Sequence, residues 1–236
     1  MANFDFQNQD LEYASFYNSF FVNSNLENAN IANTDFRYSL IHDSNFQNAD
    51  ATRSKFFNTE VKNGNFSDAN LRISDWSMSR IFASVFSNAN FYDSDLSYAS
   101  FAKSVFEGAN FSNSAMILTT IIYSQLDNSN FENTNLTKAI ITDSSLQSTN
   151  FKNSQLIWAD LSNNYLKNSI FIGADLRNVN FTNSDLTDAN LSNAVLTGAD
   201  LTNVVLTGAI LTGANLENAV LTNAILNCVG HPICIE

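Results

Sequence analysis

The stretch Ala89-Asn90-Phe91-Tyr92-Asp93-Ser94-Asp95-Leu96-Ser97-Tyr98-Ala99-Ser100-Phe101-Ala102-Lys103-Ser104-Val105-Phe106-Glu107-Gly108-Ala109-Asn110-Phe111 decides the fold. A large apolar residue recurs at every fifth position, at 91, 96, 101, 106 and 111, and a small one stands two places before each. Carried outward, this frame runs from Phe6 to Leu226 without a slip, and all 45 centres are apolar, the smallest being Ala51. From Ala14 to Ala224, 40 of the 43 positions two before a centre hold Ala, Ser, Thr or Gly; the exceptions are Asn164, Val179 and Val204. Two places after the centre, Asn, Asp or Gly fills 31 of 45 positions.

A straight α-helix turns about 100° per residue, so a five-residue period would scatter the centres around its circumference. A straight strand alternates faces at every residue, and an odd period would send successive centres to opposite sides. Each pentapeptide must therefore bend. The Asn, Asp or Gly supplies the bend, because these residues tolerate the left-handed backbone of tight turns. Longer-range recurrence counts the bends per coil: Phe91, Phe111, Phe131, Phe151 and Phe171 are spaced by twenty, as are Phe46, Phe66, Phe86 and Phe106, and Asn70, Asn90, Asn110, Asn130 and Asn150. Four repeats per coil predicts a rod of about eleven coils with aromatic and amide ladders ~4.8 Å apart. Because each coil touches only its neighbours, one domain over residues 1–228 is expected, with a tail or cap over 229–236.

Ala159-Asp160-Leu161-Ser162-Asn163, Ala174-Asp175-Leu176-Arg177-Asn178 and Ala199-Asp200-Leu201-Thr202-Asn203 resemble the repeat of the pentapeptide-repeat proteins, and the resemblance extends over residues 4–228. It implies an all-β fold, a right-handed quadrilateral β-helix with the centre and the small residue inward and the other three positions outward. Some members of that family bind type II topoisomerases by mimicking duplex DNA with an acidic rod. Members that protect gyrase through projecting loops interrupt their repeats, and nothing between Phe6 and Leu226 is interrupted here.

Catalytic chemistry finds no foothold. The histidines, His42 and His231, are far apart along the predicted rod, so neither a Ser-His-Asp nor a Cys-His arrangement can be built. Ten of the 23 acids, including Asp160, Asp175, Asp185 and Asp200, occupy the repeat's own Asp/Asn position, which explains them without acid–base chemistry. No phosphate-binding Gly-rich loop and no metal-ligand spacing are present, so neither cofactor nor metal is expected. Cys228 and Cys234 flank the point where His231 breaks the frame. A disulfide, a metal pair with His231 and two unpaired thiols are all open, with unpaired thiols favoured in a reducing cytoplasm. Val229, Ile233 and Ile235 can cap the last coil or pair with another chain, which makes a C-terminal homodimer an expectation. The N-terminus lacks a signal-peptide pattern and no apolar stretch is long enough to span a membrane, so a cytoplasmic protein without membrane contact is expected.

The outer surface carries two signals. Residues 1–50 hold seven acids against Arg37, and residues 178–236 hold five acids and no Lys or Arg, which predicts acidic ends. This argues against direct nucleic-acid binding, for want of a basic stripe, and singles out Asp185, Asp188, Asp200 and Glu217 as a DNA-mimicking surface for a partner such as DNA gyrase. The second signal is apolar. Along one corner the turn residue becomes Tyr38, Met78, Tyr98, Leu118 and Trp158, with Phe57, Ile117 and Ile157 just before it and Leu40 and Ile140 just after. Exposed apolar surface of this kind marks an interface for a protein partner or a second copy. Thr142, Ser162, Thr182, Thr202 and Thr222, also spaced by twenty, form a further outward column of the sort that binds ice. A non-enzymatic interaction scaffold is the reading the sequence favours, with the acidic DNA mimic as alternative.

Overall fold

The computed structural model describes residues 3–234. Seven three-residue strands, β1 (Phe20–Val22), β2 (Leu40–His42), β3 (Glu60–Lys62), β4 (Arg80–Phe82), β5 (Ser100–Ala102), β6 (Thr120–Ile122) and β7 (Ile140–Thr142), form one parallel sheet in chain order. Each residue pairs with the one twenty places on, as Phe101 does with Ile121. Isolated parallel bridges with the same offset, such as Asn90↔Asn110, Asp95↔Ala115 and Val105↔Gln125, form the other three sides. The fold is a parallel β-solenoid, and the described residues contain no helix. Regular sheet is shorter than the eleven coils expected: it covers six coil-to-coil steps, and beyond Thr142 that side too is held by single bridges.

The bends are where the sequence put them. Forty non-glycine residues, from Asn3 to Asn223, have φ between 50° and 63°, and all but Asn3, which precedes the first centre, stand two places after a centre. Asn is common there because its amide both tolerates this backbone and bonds to its counterpart in the preceding coil, as Asn48 Nδ2 donates to Asn28 Oδ1 at 3.1 Å. Inside, the centres from Phe21 to Leu211 are sealed from solvent. Burial of each stabilises by roughly 1.5–3 kcal/mol before conformational entropy is deducted. Phe91, Phe111, Phe131, Phe151 and Phe171 stack in sequence with centroids 5.0, 4.7, 5.0 and 4.8 Å apart. A second column through Phe46, Phe66, Phe86 and Phe106 has spacings of 4.5, 5.0 and 5.1 Å.

Why only one side makes continuous strand follows from its corner. At most corners the N–H of the small residue closes onto the carbonyl of the centre three places back, as Ala109 N–H donates to Phe106 O at 2.9 Å. At the corner after the strands, a serine hydroxyl from the next coil takes that N–H instead: Ser84 Oγ accepts from Gly64, Ser104 Oγ from Ser84 and Ser124 Oγ from Ser104, at 3.1, 3.3 and 3.1 Å. The opened corner lets the chain before it stay extended. Asn164 takes the place of a serine in this column. Its Oδ1 accepts the Ser144 N–H at 2.9 Å, its Nδ2 donates to the Ile141 and Leu161 carbonyls, and its own N–H goes to Ser184 Oγ at 3.1 Å; the column closes there, since the Ser184 N–H has returned to Phe181 O.

The C-terminal end differs from the open-thiol expectation, since Cys228 and Cys234 form a disulfide. Cys228 is buried at the end of the core, six residues from its partner, and proximity in the folded tail brings the two together. Val229 still pairs with Ile210, one residue out of frame, and Ile233 packs on the core. Ile235 lies outside the described residues. His231 Nδ1 accepts the Ile233 N–H at 3.3 Å, and no cluster of metal-ligating side chains occurs among the described residues.

Candidate interaction surface

The corner at Tyr38, Met78, Tyr98, Leu118 and Trp158 is assembled as the spacing requires. The five stack on one edge of the rod and are 41–60% exposed. Their φ values lie between 57° and 63°. Bulky residues without a local hydrogen-bonding side chain adopt this region at a cost of ~1 kcal/mol or more each. At this edge the chain forgoes the residue type that suits the backbone and the amide bonding that goes with it. Tyr38 recovers some of this by edge-on contact with Tyr17 and Phe57, at 5.4 and 5.5 Å, whereas Met78, Leu118 and Trp158 project as single bulky groups. Ile140 is exposed beside the corner, while Ile117 and Ile157 are half-buried, less exposed than the sequence suggested, because the residue just before the turn leans against the coil.

The sheet side continues this surface. Phe82 and Tyr123 stand out from it, and Lys103 Nζ lies 5.5 Å from the centre of the Phe82 ring. Between them, small Ser100 and Ala102 leave a shallow depression of about 400 Å³ bounded by Glu60, Lys62, Arg80 and Phe82. Glu60 is held in place by His42 Nε2 at 3.1 Å and Arg80 at 3.4 Å.

The acids of the two ends are as the sequence counts them, but the four singled out near the C-terminus do not make one surface. Asp185, Asp188, Asp200 and Glu217 do not share a face: with four repeats per coil they fall on a side, a corner, another side and another corner. Asp185 is also paired with Lys167 at 3.5 Å. Burial pushes its carboxyl up, but hydrogen bonds from Thr187 and the nearby Lys167 outweigh this and hold it below the usual range. A further set of acids runs lengthwise. Glu27, Asp68, Glu107, Asp127 and Asp188 follow the corner diagonally opposite the apolar one, with Lys167 as its one base. The sequence signal for this was available in their common position at or just before one turn in four. In the Thr column, Ser162 is nearly buried and the Thr182 hydroxyl is spent on Asn180 Oδ1, so it is not a free hydroxyl array.

The repeat now has both its chemistry and its geometry. The family model of pentapeptide repeats matches residues 5–39, 84–120, 124–163, 159–198 and 199–229, in eight copies. The chain belongs to the pentapeptide-repeat family. Among solved structures, this pentapeptide-repeat protein is similar to HetL of Nostoc sp. strain PCC 7120, a relative involved in heterocyst differentiation regulation. The identity is 22%, the TM-score 0.64, and the match covers 100% of this chain and 92% of that one. That likeness shows the shared fold. QnrB1, a plasmid-mediated fluoroquinolone resistance protein, is more distant, at 18% identity and TM-score 0.43 over 86% of this chain and 89% of its own. No curated protein sequence matches significantly. Among the described residues no helix is long and apolar enough to cross a membrane.

Proposed function

We infer that this pentapeptide-repeat protein is a non-enzymatic interaction scaffold that binds a protein partner through the apolar corner and the adjoining sheet side. One observation carries the reading: five bulky apolar residues are stacked, exposed, on one corner in a backbone conformation that disfavours them. The coil imposes this backbone at every corner, so what sets this one apart is the choice of bulky apolar side chains where Asn, Asp or Gly fits with less strain. Interface anchors typically lose 1 kcal/mol or more of binding when truncated, whereas idle surface side chains change stability by less than ~0.5 kcal/mol. Leu118→Ala with Trp158→Ala should therefore abolish capture of a partner, or self-association, at unchanged melting temperature. A sharply lower melting temperature with unchanged association would reduce the corner to packing and defeat the proposal. A cytoplasmic location is retained as part of it and implies that the Cys228–Cys234 bond is reduced there.

The acidic corner supports a second reading, a DNA mimic that binds DNA gyrase or a related type II topoisomerase. Its charge density weighs against it. Five carboxylates between Glu27 and Asp188 span eight coils, roughly 39 Å at strand spacing, where duplex DNA carries about 23 charges. Gyrase supercoiling assays with and without a quinolone decide this. Inhibition by the wild type, weakened by Glu107→Gln with Asp127→Asn, would favour mimicry over the scaffold.

A further inference from the structure

We propose that the apolar corner and sheet side pair with a second copy of the same chain, antiparallel, about a two-fold axis passing at Tyr98. The proposal rests on the interaction reading above and names its partner. A two-fold interface is isologous, so its two halves must complement each other when the rod is reversed. The stripe meets that condition coil by coil. One coil either side of Tyr98 stand Met78 and Leu118, both aliphatic; two coils away stand the polar interruptions Asn58 and Lys138; three coils away stand the aromatics Tyr38 and Trp158. Asn18 and Asn178 close the pattern at four coils.

The neighbouring column on the sheet side reverses equally well. Phe82 of β4 is placed opposite Ile122 of β6, and Glu60 of β3 lies in the coil that faces Lys138 and Ile140. The shallow depression runs from Glu60 and Arg80 to Ser100 and Ala102; on reversal its Arg80 and Glu60 coils face the coils that carry Ile122, Tyr123 and Ile140, while Ser100 and Ala102 face their own copies across the axis. The outer part of the hollow thus meets projecting side chains, Tyr123 being placed opposite the small Ala83, and Lys138 meets a carboxylate. A parallel two-fold with its axis along this corner would set Lys138 against Lys138 and leave Glu60 without it. The acidic corner lies on the far side of each rod, so its charges are kept apart in this arrangement.

The area is sufficient for a modest dimer. Six coil steps from Tyr38 to Trp158 make about 29 Å at strand spacing, and the six residues from corner to corner across the sheet side make about 20 Å. That is roughly 580 Å² per partner, near 1,200 Å² in total, at the lower edge of stable interfaces. An interface of this size is smaller than those of obligate dimers.

Sedimentation of the full chain over a range of concentrations, combined with single-cysteine cross-linking, tests the arrangement. The native cysteines are bonded to each other and do not compete. Tyr98→Cys should cross-link to itself, whereas Tyr38→Cys and Trp158→Cys should each fail alone and cross-link when mixed. Tyr98→Glu should raise the dissociation constant more than tenfold, and mixing it with Tyr98→Lys should restore dimers, a rescue that a folding defect would not give. Self-linking of Tyr38→Cys, or a monomer at every concentration, overturns the proposal. If the monomer still loses a different protein partner on Leu118→Ala and Trp158→Ala, only the self-pairing fails; if those variants lose nothing, the interaction reading fails with it.

Discussion

Trp158, Met78 and Tyr98 each combine an apolar side chain with a left-handed backbone, and the two properties pull in opposite directions. Replacing Met78 with Asn removes the steric penalty and continues the residue type found one coil before, at Asn58. The expected result is a gain of about 1 kcal/mol, which in a chain of this size raises the melting point by roughly 2–4 °C, together with weaker association. Calorimetry and sedimentation on the same sample check both halves. Asn164 shows the opposite case, a polar residue in the core that is fully used. Asn164→Ala leaves the Ser144 N–H and the Ile141 carbonyl without their partner, while the Leu161 carbonyl keeps the Ser184 hydroxyl; a loss of about 2–4 kcal/mol in urea unfolding is expected, only partly recovered by Asn164→Ser.

At the level of the sheet, the serine column marks the corner that follows the strand side. Ser124→Ala strips the buried Ser104 N–H of its acceptor and should cost about 1–3 kcal/mol, with faster amide exchange concentrated at Ser104 and its neighbours. Ser129→Ala should cost less, because Ser129 Oγ donates only to the Leu126 carbonyl, which the Ser129 N–H already serves. Equal losses would show that the column has no special role. The coil, the inward centre and the turn residue were legible in the sequence because each is fixed by a period and by side-chain size. The serine column was not, since Ala, Ser and Thr are equivalent as small residues, and only the folded coil decides which hydroxyls serve a neighbouring coil. The acidic corner was missed for a related reason: summing charge along the chain reveals ends, whereas the acids are aligned modulo twenty. The apolar corner was legible because it was read in that modulus.

As a whole, the molecule is a linear stack whose acid response depends on a few fixed pairs. Hydrogen bonds from Arg37 hold the Asp35 carboxyl below its ordinary range, and those from Arg177 do the same for Asp175. A carboxyl depressed in the folded state contributes stability that is complete above its unfolded value, about 3.9, and is lost as pH falls through the folded value. Melting temperature should therefore be level above about pH 5 and decline below pH 4, less steeply in Asp35→Asn with Asp175→Asn. Both pairs are partly exposed, so the difference should shrink in high salt. The uninterrupted frame from Phe6 to Leu226 has a further consequence, one of phase. Excising residues 127–131 keeps every later centre inward but rotates everything beyond by a quarter turn, which carries Trp158 off the azimuth of Tyr98. Excising twenty residues restores the azimuth and shortens the rod by one coil. Folding is thus governed by length modulo five and surface alignment by length modulo twenty, so an insertion or deletion can leave a well-folded rod whose two halves face different ways.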